Sequence, residues 1–198
     1  MMRLYNLQSD ILKAVNAFFG SAEFHNAVAE KFGITREYIY DGGIQKYLDG
    51  YEISPHPDIR LKAATWMINI NPSPLAHAIN YHTHYMEFRD SRKYVEEFWR
   101  GNQSVERAWV PWKWAHTVRE QKANNSIVIF SPADNTLHGV KARYDHLLTQ
   151  RTQIYGNLWY RQSSSKANLT WESLDLLRNT EAIQAREDVG QGSRNVNY

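Results

Sequence analysis

The chain has 198 residues, 42% of them hydrophobic and 13% aromatic, enough apolar material for one packed domain and too much for a disordered chain. Lys plus Arg is 23 against 21 for Asp plus Glu, a formal net charge of +2 with no dense basic run, so no nucleic-acid footprint is expected. Cysteine is absent while eight histidines are present, which excludes disulfides, thiolate metal sites and cysteine nucleophiles and leaves nitrogen and oxygen as the only ligands for a tightly held metal.

Residues 1–42 read as a helical buttress. Ser9 can open a helix with Ile11, Val15, Phe18 and Phe19 on one face, stopped by Gly20. Ser21 opens a second, with Phe24, Ala27, Val28 and Phe32 on one face and Gly33 after it. From Gly43 to Arg161 the texture changes to period two and β-formers. Strands are expected over Ile44–Leu48, Tyr51–Pro55, Ala63–Ile70, Val105–Trp114, Ser126–Phe130 and Leu147–Tyr160. Asp49-Gly50, Asn71-Pro72-Ser73-Pro74, Asn124-Asn125 and Ser131-Pro132 supply the turns, and Asp90–Arg100 reads as a helical or irregular insertion. Short strands with few helices between them imply an antiparallel sandwich or barrel, a mainly β fold with flanking helices. Residues 162–198 read as a polar stretch, a helix over Trp171–Glu187 with Trp171, Leu174 and Leu177 buried, and a loose tail, all within a single overall domain. No run of 18 apolar residues exists, and the first ten residues lack an apolar leader core, so a cytoplasmic protein away from membranes is expected.

His56-Pro57-Asp58 is the sharpest local signal. Residues i and i+2 of an extended segment project to one face, so an imidazole and a carboxylate there can share a metal ion, given a third ligand from elsewhere. A rival cluster is His82-Thr83-His84 with Glu87, which is similar to a cupin metal motif but one residue short in spacing. His25, His77, His116 and His146 have no partner at a telling distance in sequence, and Trp109, Trp112 and Trp114 read as packing aromatics.

The stretch from Gly50 to Asp58 followed by Lys62-Ala63-Ala64-Thr65-Trp66-Met67-Ile68-Asn69 resembles the Fe(II)- and 2-oxoglutarate-dependent oxygenases, in particular short members of the prolyl-hydroxylase type such as those carried by cyanobacterial phages. Ser126–Phe130 with Thr136-Leu137-His138-Gly139-Val140, and then Gln150-Arg151-Thr152-Gln153, continue the resemblance in order. The resemblance implies a double-stranded β-helix (jelly roll) over 43–161. It implies Fe(II) held by His56, Asp58 and His138, with 2-oxoglutarate as cosubstrate and O2 as oxidant. It assigns the far carboxylate of the cosubstrate to Arg151, with Arg143 as a rival, and puts Tyr47, Thr65 and Asn69 around the cosubstrate. Tyr47 reads equally as a packing aromatic. Asn69 and Gln153 depart from the family pattern. The implied activity is hydroxylation of a peptide, protein or small molecule, in the host cytoplasm for a phage protein. Two other readings stand beside it: a cupin-type enzyme built on His82 and His84, and a non-catalytic β-sandwich for interactions.

Overall fold

A computed structural model of the chain describes residues 1–79, 82–102, 105 and 108–161. The expected helix over Trp171–Glu187, with the rest of 162–198, lies outside the described residues. The fold is mainly β, with two antiparallel sheets and a few helices. In chain order the elements are β1 (Met2–Leu4), α1 (Asp10–Phe19), α2 (Ala22–Lys31), β2 (Tyr38–Lys46), β3 (Ile53–His56), β4 (Lys62–Asn69), β5 (His84–Phe88), α3 (Tyr94–Gly101), β6 (Ala115–Glu120), β7 (Ile127–Phe130), β8 (Leu137–Val140), α4 (His146–Thr149) and β9 (Thr152–Tyr160). Short 3-10 turns cover Ala76–Ala78, Asp90–Arg92 and Trp112–Trp114. No helix among the described residues is long and apolar enough to cross a membrane.

The first sheet runs β1-β2-β9-β4-β7 and the second β3-β8-β5-β6. Apart from β1, the strands pair as nested hairpins: β5 with β6, β4 with β7, β3 with β8 and β2 with β9.

The two faces of the first sheet differ in chemistry because its strands alternate. One face carries Ile44, Trp66, Ile68, Ile154 and Leu158, which form a core with Val28, Ala29 and Ile34, while Phe19 and Phe24 pack on its edge. This is the face that α1 and α2 cover. Ser21 caps α2, its hydroxyl accepting from the Phe24 amide at 3.2 Å. Gly156 matters here, because a Cβ at that position would lie 2.1 Å from the Trp66 indole. The opposite face carries Gln45, Thr65, Asn69, Gln153 and Asn157, all buried. The register aligns them in rows, Gln45 beside Gln153 beside Asn69 and Asn157 beside Thr65. The second sheet repeats the plan: Met86, Phe88, Leu137 and Ala115 pack outward with Val110 and Trp112. His56, His138 and Tyr85 are paired in one row on its other face, where Phe130 of the first sheet meets both His138 and Tyr85. The space between the sheets is therefore polar, which is costly unless every group is satisfied or serves a ligand.

Several expected boundaries move. β2 begins at Tyr38, inside the segment assigned to the helical buttress, and β1 adds a strand ahead of the helices. Gly42 and Gly43 look like breakers but sit within β2, where the Tyr40 ring lies against Gly42 and the Tyr155 ring against Gly43. No strand forms over the described residues of 105–114; Pro111 leads into the Trp112–Trp114 turn and the strand follows at Ala115–Glu120. There the tryptophans serve the outer core of the second sheet instead of alternating along a strand. The strand expected from Leu147 starts only at Thr152. His146–Thr149 forms a helical turn ended by Gln150 in the left-handed conformation, φ 57°, with the Thr149 hydroxyl donating to the Asp145 carbonyl at 2.8 Å.

Candidate metal centre

β3 ends at His56, and its register partner is His138 in β8. Asp58 follows two residues later. The ligand atoms of His56, Asp58 and His138 all lie within 4.8 Å of one another, and the three side chains are buried. They are the one such cluster of three or more His and acidic side chains among the described residues. Both imidazole Nε2 atoms stand 3.8 Å from Asp58 Oδ1. Each ring turns its other nitrogen to a backbone carbonyl, His56 Nδ1 to Ser54 at 2.8 Å and His138 Nδ1 to Thr136 at 3.4 Å. That leaves the Nε2 lone pairs facing the carboxylate, the arrangement a metal ligand needs.

The electrostatics agree. Burial pushes the His138 pKa down to about 4, only partly opposed by Asp58, so the ring is neutral near pH 7 and free to donate its lone pair. Burial alone would raise the Asp58 carboxyl, but His138 and the nearby Lys62 ammonium hold it below the usual carboxylate range. Lys62 Nζ lies 2.7 Å from Asp58 Oδ1. The Thr65 hydroxyl donates to Asp58 Oδ2 at 3.0 Å, with Asn157 Oδ1 as an alternative acceptor at 3.1 Å. Two imidazoles, that of His138 neutral, and one carboxylate form a nitrogen–oxygen donor set that suits a divalent first-row metal, with no thiolate to favour zinc or copper(I).

The cluster faces a cavity of about 200 Å³ between the sheets, also lined by Tyr47, Thr65, Met67, Thr83 and Asn157. Arg151 stands just before β9 and is 1% exposed. Its guanidinium carbon lies 3.9 Å from the centre of the Tyr47 ring, and its Nη2 donates to Thr83 Oγ1 at 3.3 Å. It thus adjoins the cavity through two of the side chains that line it. Arg143 instead pairs with Asp145 in the loop after β8, at 2.6 Å.

Tyr47 and Asn69 belong to one polar chain. Gln45 donates to the Tyr47 hydroxyl at 2.9 Å, and that hydroxyl donates to Gln153 Oε1 at 2.6 Å. Gln153 Nε2 donates to Asn69 Oδ1 at 2.7 Å, and Asn69 Nδ2 to the Gln121 carbonyl at 2.6 Å. Asn69 is thereby committed to protein partners, and it is Tyr47 and Thr65 that reach the cavity.

His82 and His84 are placed elsewhere. His82 Nε2 bonds the Ala76 carbonyl at 2.9 Å. His84 lies in β5 one residue out of phase with Tyr85, packs against Trp112, and pairs with Thr117 and Glu120. Glu87 pairs with His116 at 2.9 Å. The sequence reading passed over Lys62, Asn157, Tyr51 and Tyr155. Their signal was alternation: Gln153, Tyr155 and Asn157 stand at every second position of β9, interleaved with Ile154, Gly156 and Leu158. Trp109, read as packing, sits half-exposed with its ring 5.0 Å from that of His56.

No protein-family model matches the chain, and no curated protein sequence matches it. Among solved structures it is similar to a prolyl-4-hydroxylase from Pseudomonas putida, at 14% identity and a TM-score of 0.42, over 80% of this chain and 70% of that one.

Proposed function

We propose that the chain is an Fe(II)- and 2-oxoglutarate-dependent oxygenase, most simply a hydroxylase of a peptide or small molecule in the cytoplasm. The observation that carries the reading is the buried His56–Asp58–His138 cluster, two imidazoles and one carboxylate converging on a cavity between the sheets. Three protein ligands leave open positions for a chelating cosubstrate and O2. Iron bound there would supply the redox chemistry that couples cosubstrate decarboxylation to C–H oxidation. The residues of this chain do the rest. His56, Asp58 and His138 hold the ion. Thr65 and Lys62 fix the Asp58 carboxylate. Arg151, braced against Tyr47, gives a planar cation for the far carboxylate of the cosubstrate, and the two sheets exclude water. The nested strand pairing across two antiparallel sheets supports the same reading, being the pairing expected of a jelly roll.

The test is anaerobic addition of Fe(II) and then 2-oxoglutarate. A visible absorption band that needs both, and that disappears in Asp58→Ala, is expected. A band unchanged in that variant, or none in the native chain, overturns the assignment. Under air, the native protein should turn 2-oxoglutarate into succinate.

A further inference from the structure

The cavity has a second end. Thr65 lines it from β4 and Asp58 from the segment leading into β4, whereas Arg3 lines it from β1, three strands away across the first sheet, roughly 14 Å at ordinary strand spacing, with Met1 just before it. Arg3 is aligned with Gln45, whose own row continues through Gln153, so its side chain belongs to the polar inner face. Its guanidinium carbon lies 4.7 Å from the centre of the Tyr155 ring. Asp41, on the rim, is 4.0 Å from Arg3 and steadies it without burying it. Of the cations lining the cavity, Lys62 is tied to Asp58, whereas Arg3 is still two-fifths exposed.

Two phenols complete the group. Tyr51 and Tyr155 both line the cavity, Tyr155 at 6% exposure, and neither hydroxyl has a hydrogen-bond acceptor among the described residues. Burial raises both phenols above the ordinary value, helped by Tyr47 at Tyr51 and by the Asp41 carboxylate at Tyr155. Arg151 and then Arg3 pull Tyr51 down and Arg3 pulls Tyr155 down, so both stay protonated donors within reach of the Arg3 charge. One guanidinium and two phenol donors without acceptors, toward the end of the cavity away from the metal ligands, suit an oxyanion, and a carboxylate is the smallest that the planar fork can pair.

We propose that Arg3, Tyr51 and Tyr155 form an anion cradle at the outer end of the cavity, where they receive a carboxylate carried by the substrate. The inference rests on the oxygenase reading and narrows its substrate class to carboxylate-bearing molecules, a free acid or a peptide C-terminus or acidic side chain.

The test uses the full chain labelled with 15N-arginine, in the presence of Zn(II) as a redox-inert ion and 2-oxoglutarate. The Arg3, Arg151 and Arg161 Nε–Hε signals are followed on adding N-acetylglycine or its neutral amide. Arg161, exposed and paired with Glu37, monitors non-specific anion binding. N-acetylglycine should shift Arg3 saturably while the amide leaves it in place. Arg3→Gln should weaken binding at least tenfold, and Tyr155→Phe about threefold or more. An Arg3 signal that moves no more than Arg161, or moves equally with the amide, overturns the cradle. The Arg151 response to 2-oxoglutarate is read separately. If Arg151 stays unmoved while Arg3 responds, the cosubstrate assignment fails and the cradle stands.

Discussion

Replacing Gln153 with Leu tests whether the polar inner face is a connected network. Gln153 is wholly buried, accepts from the Tyr47 hydroxyl at 2.6 Å and donates to Asn69 at 2.7 Å. Leu fills nearly the same volume but strands both partners, at about 1–3 kcal/mol each for a buried group left unmade. Burial of the extra apolar surface offsets part of this, leaving a net loss of about 3 kcal/mol. With a urea slope of roughly 2 kcal/mol/M, the unfolding midpoint should fall by about 1.5 M. Tyr47→Phe alone strands Gln153 and Gln45. The double variant Tyr47→Phe/Gln153→Leu should be less damaging than the sum of the singles by about 1–3 kcal/mol, since the bond they share is lost only once. Urea denaturation followed by circular dichroism measures all three. Losses that add to within about 0.5 kcal/mol would show that the two side chains are not coupled and refute the network.

Three further outcomes are expected. Thr65→Val removes the donor to Asp58 Oδ2 while sparing the ligand itself, so Co(II) affinity measured by absorption should fall about tenfold; unchanged affinity would mean the hydroxyl does not orient the carboxylate. Burial lowers the His82 pKa to about 4, against about 6.5 in the unfolded chain, so the unfolded state binds the extra proton first. Its contribution is therefore complete above pH 6.5 and is lost as pH falls towards 4, by on the order of 3 kcal/mol. His82→Gln should flatten that part of the stability–pH curve in urea titrations, and an unaltered curve would contradict the assignment. Finally, Arg60 stacks on Trp99 at 4.2 Å and donates to the carbonyls of Trp99, Asn102 and Val105. Arg60→Ala should release the segment around α3, seen as at least severalfold faster limited proteolysis between Tyr94 and Trp114, and equal cleavage rates would remove Arg60 as its clamp.

Much of the layout was legible because local rules and tertiary demands agree. Ser21 caps α2 as read and Phe24, Val28 and Phe32 pack inward, although Ala27 is exposed and Ala29 is buried instead. The strand read over Ala63–Ile70 forms one residue earlier, over Lys62–Asn69, since a cap and alternation go far to specify both elements. His56 and Asp58 sit two apart, so their proximity is local. That His138 lies opposite His56 depends on register between strands 82 residues apart, and only the resemblance brought the two together in advance. The misread segments are those where side chains override propensity. The boundary placed between residues 42 and 43 falls inside β2, where tyrosine rings cover Gly42 and Gly43; Trp112 and Trp114 read as a strand, yet a turn delivers them to the outer core. Arg3 carried no signal at all, because its place depends on pairing with β2 across two helices.

The nested pairing of strands also sets an order of assembly. β5 and β6 are closest in sequence among the nested pairs, and each pair outward closes a longer loop, ending with β2 and β9, where Gln45 meets Gln153. Loop-closure entropy rises with length, and contacts between distant residues slow folding. Refolding should therefore proceed from the β5–β6 pair outward, through β4–β7 and then β3–β8, which brings His56 to His138. The β2–β9 pairing that joins Tyr47 to Gln153 comes last. A refolding chain should acquire divalent-metal affinity in an earlier kinetic phase than carboxylate affinity.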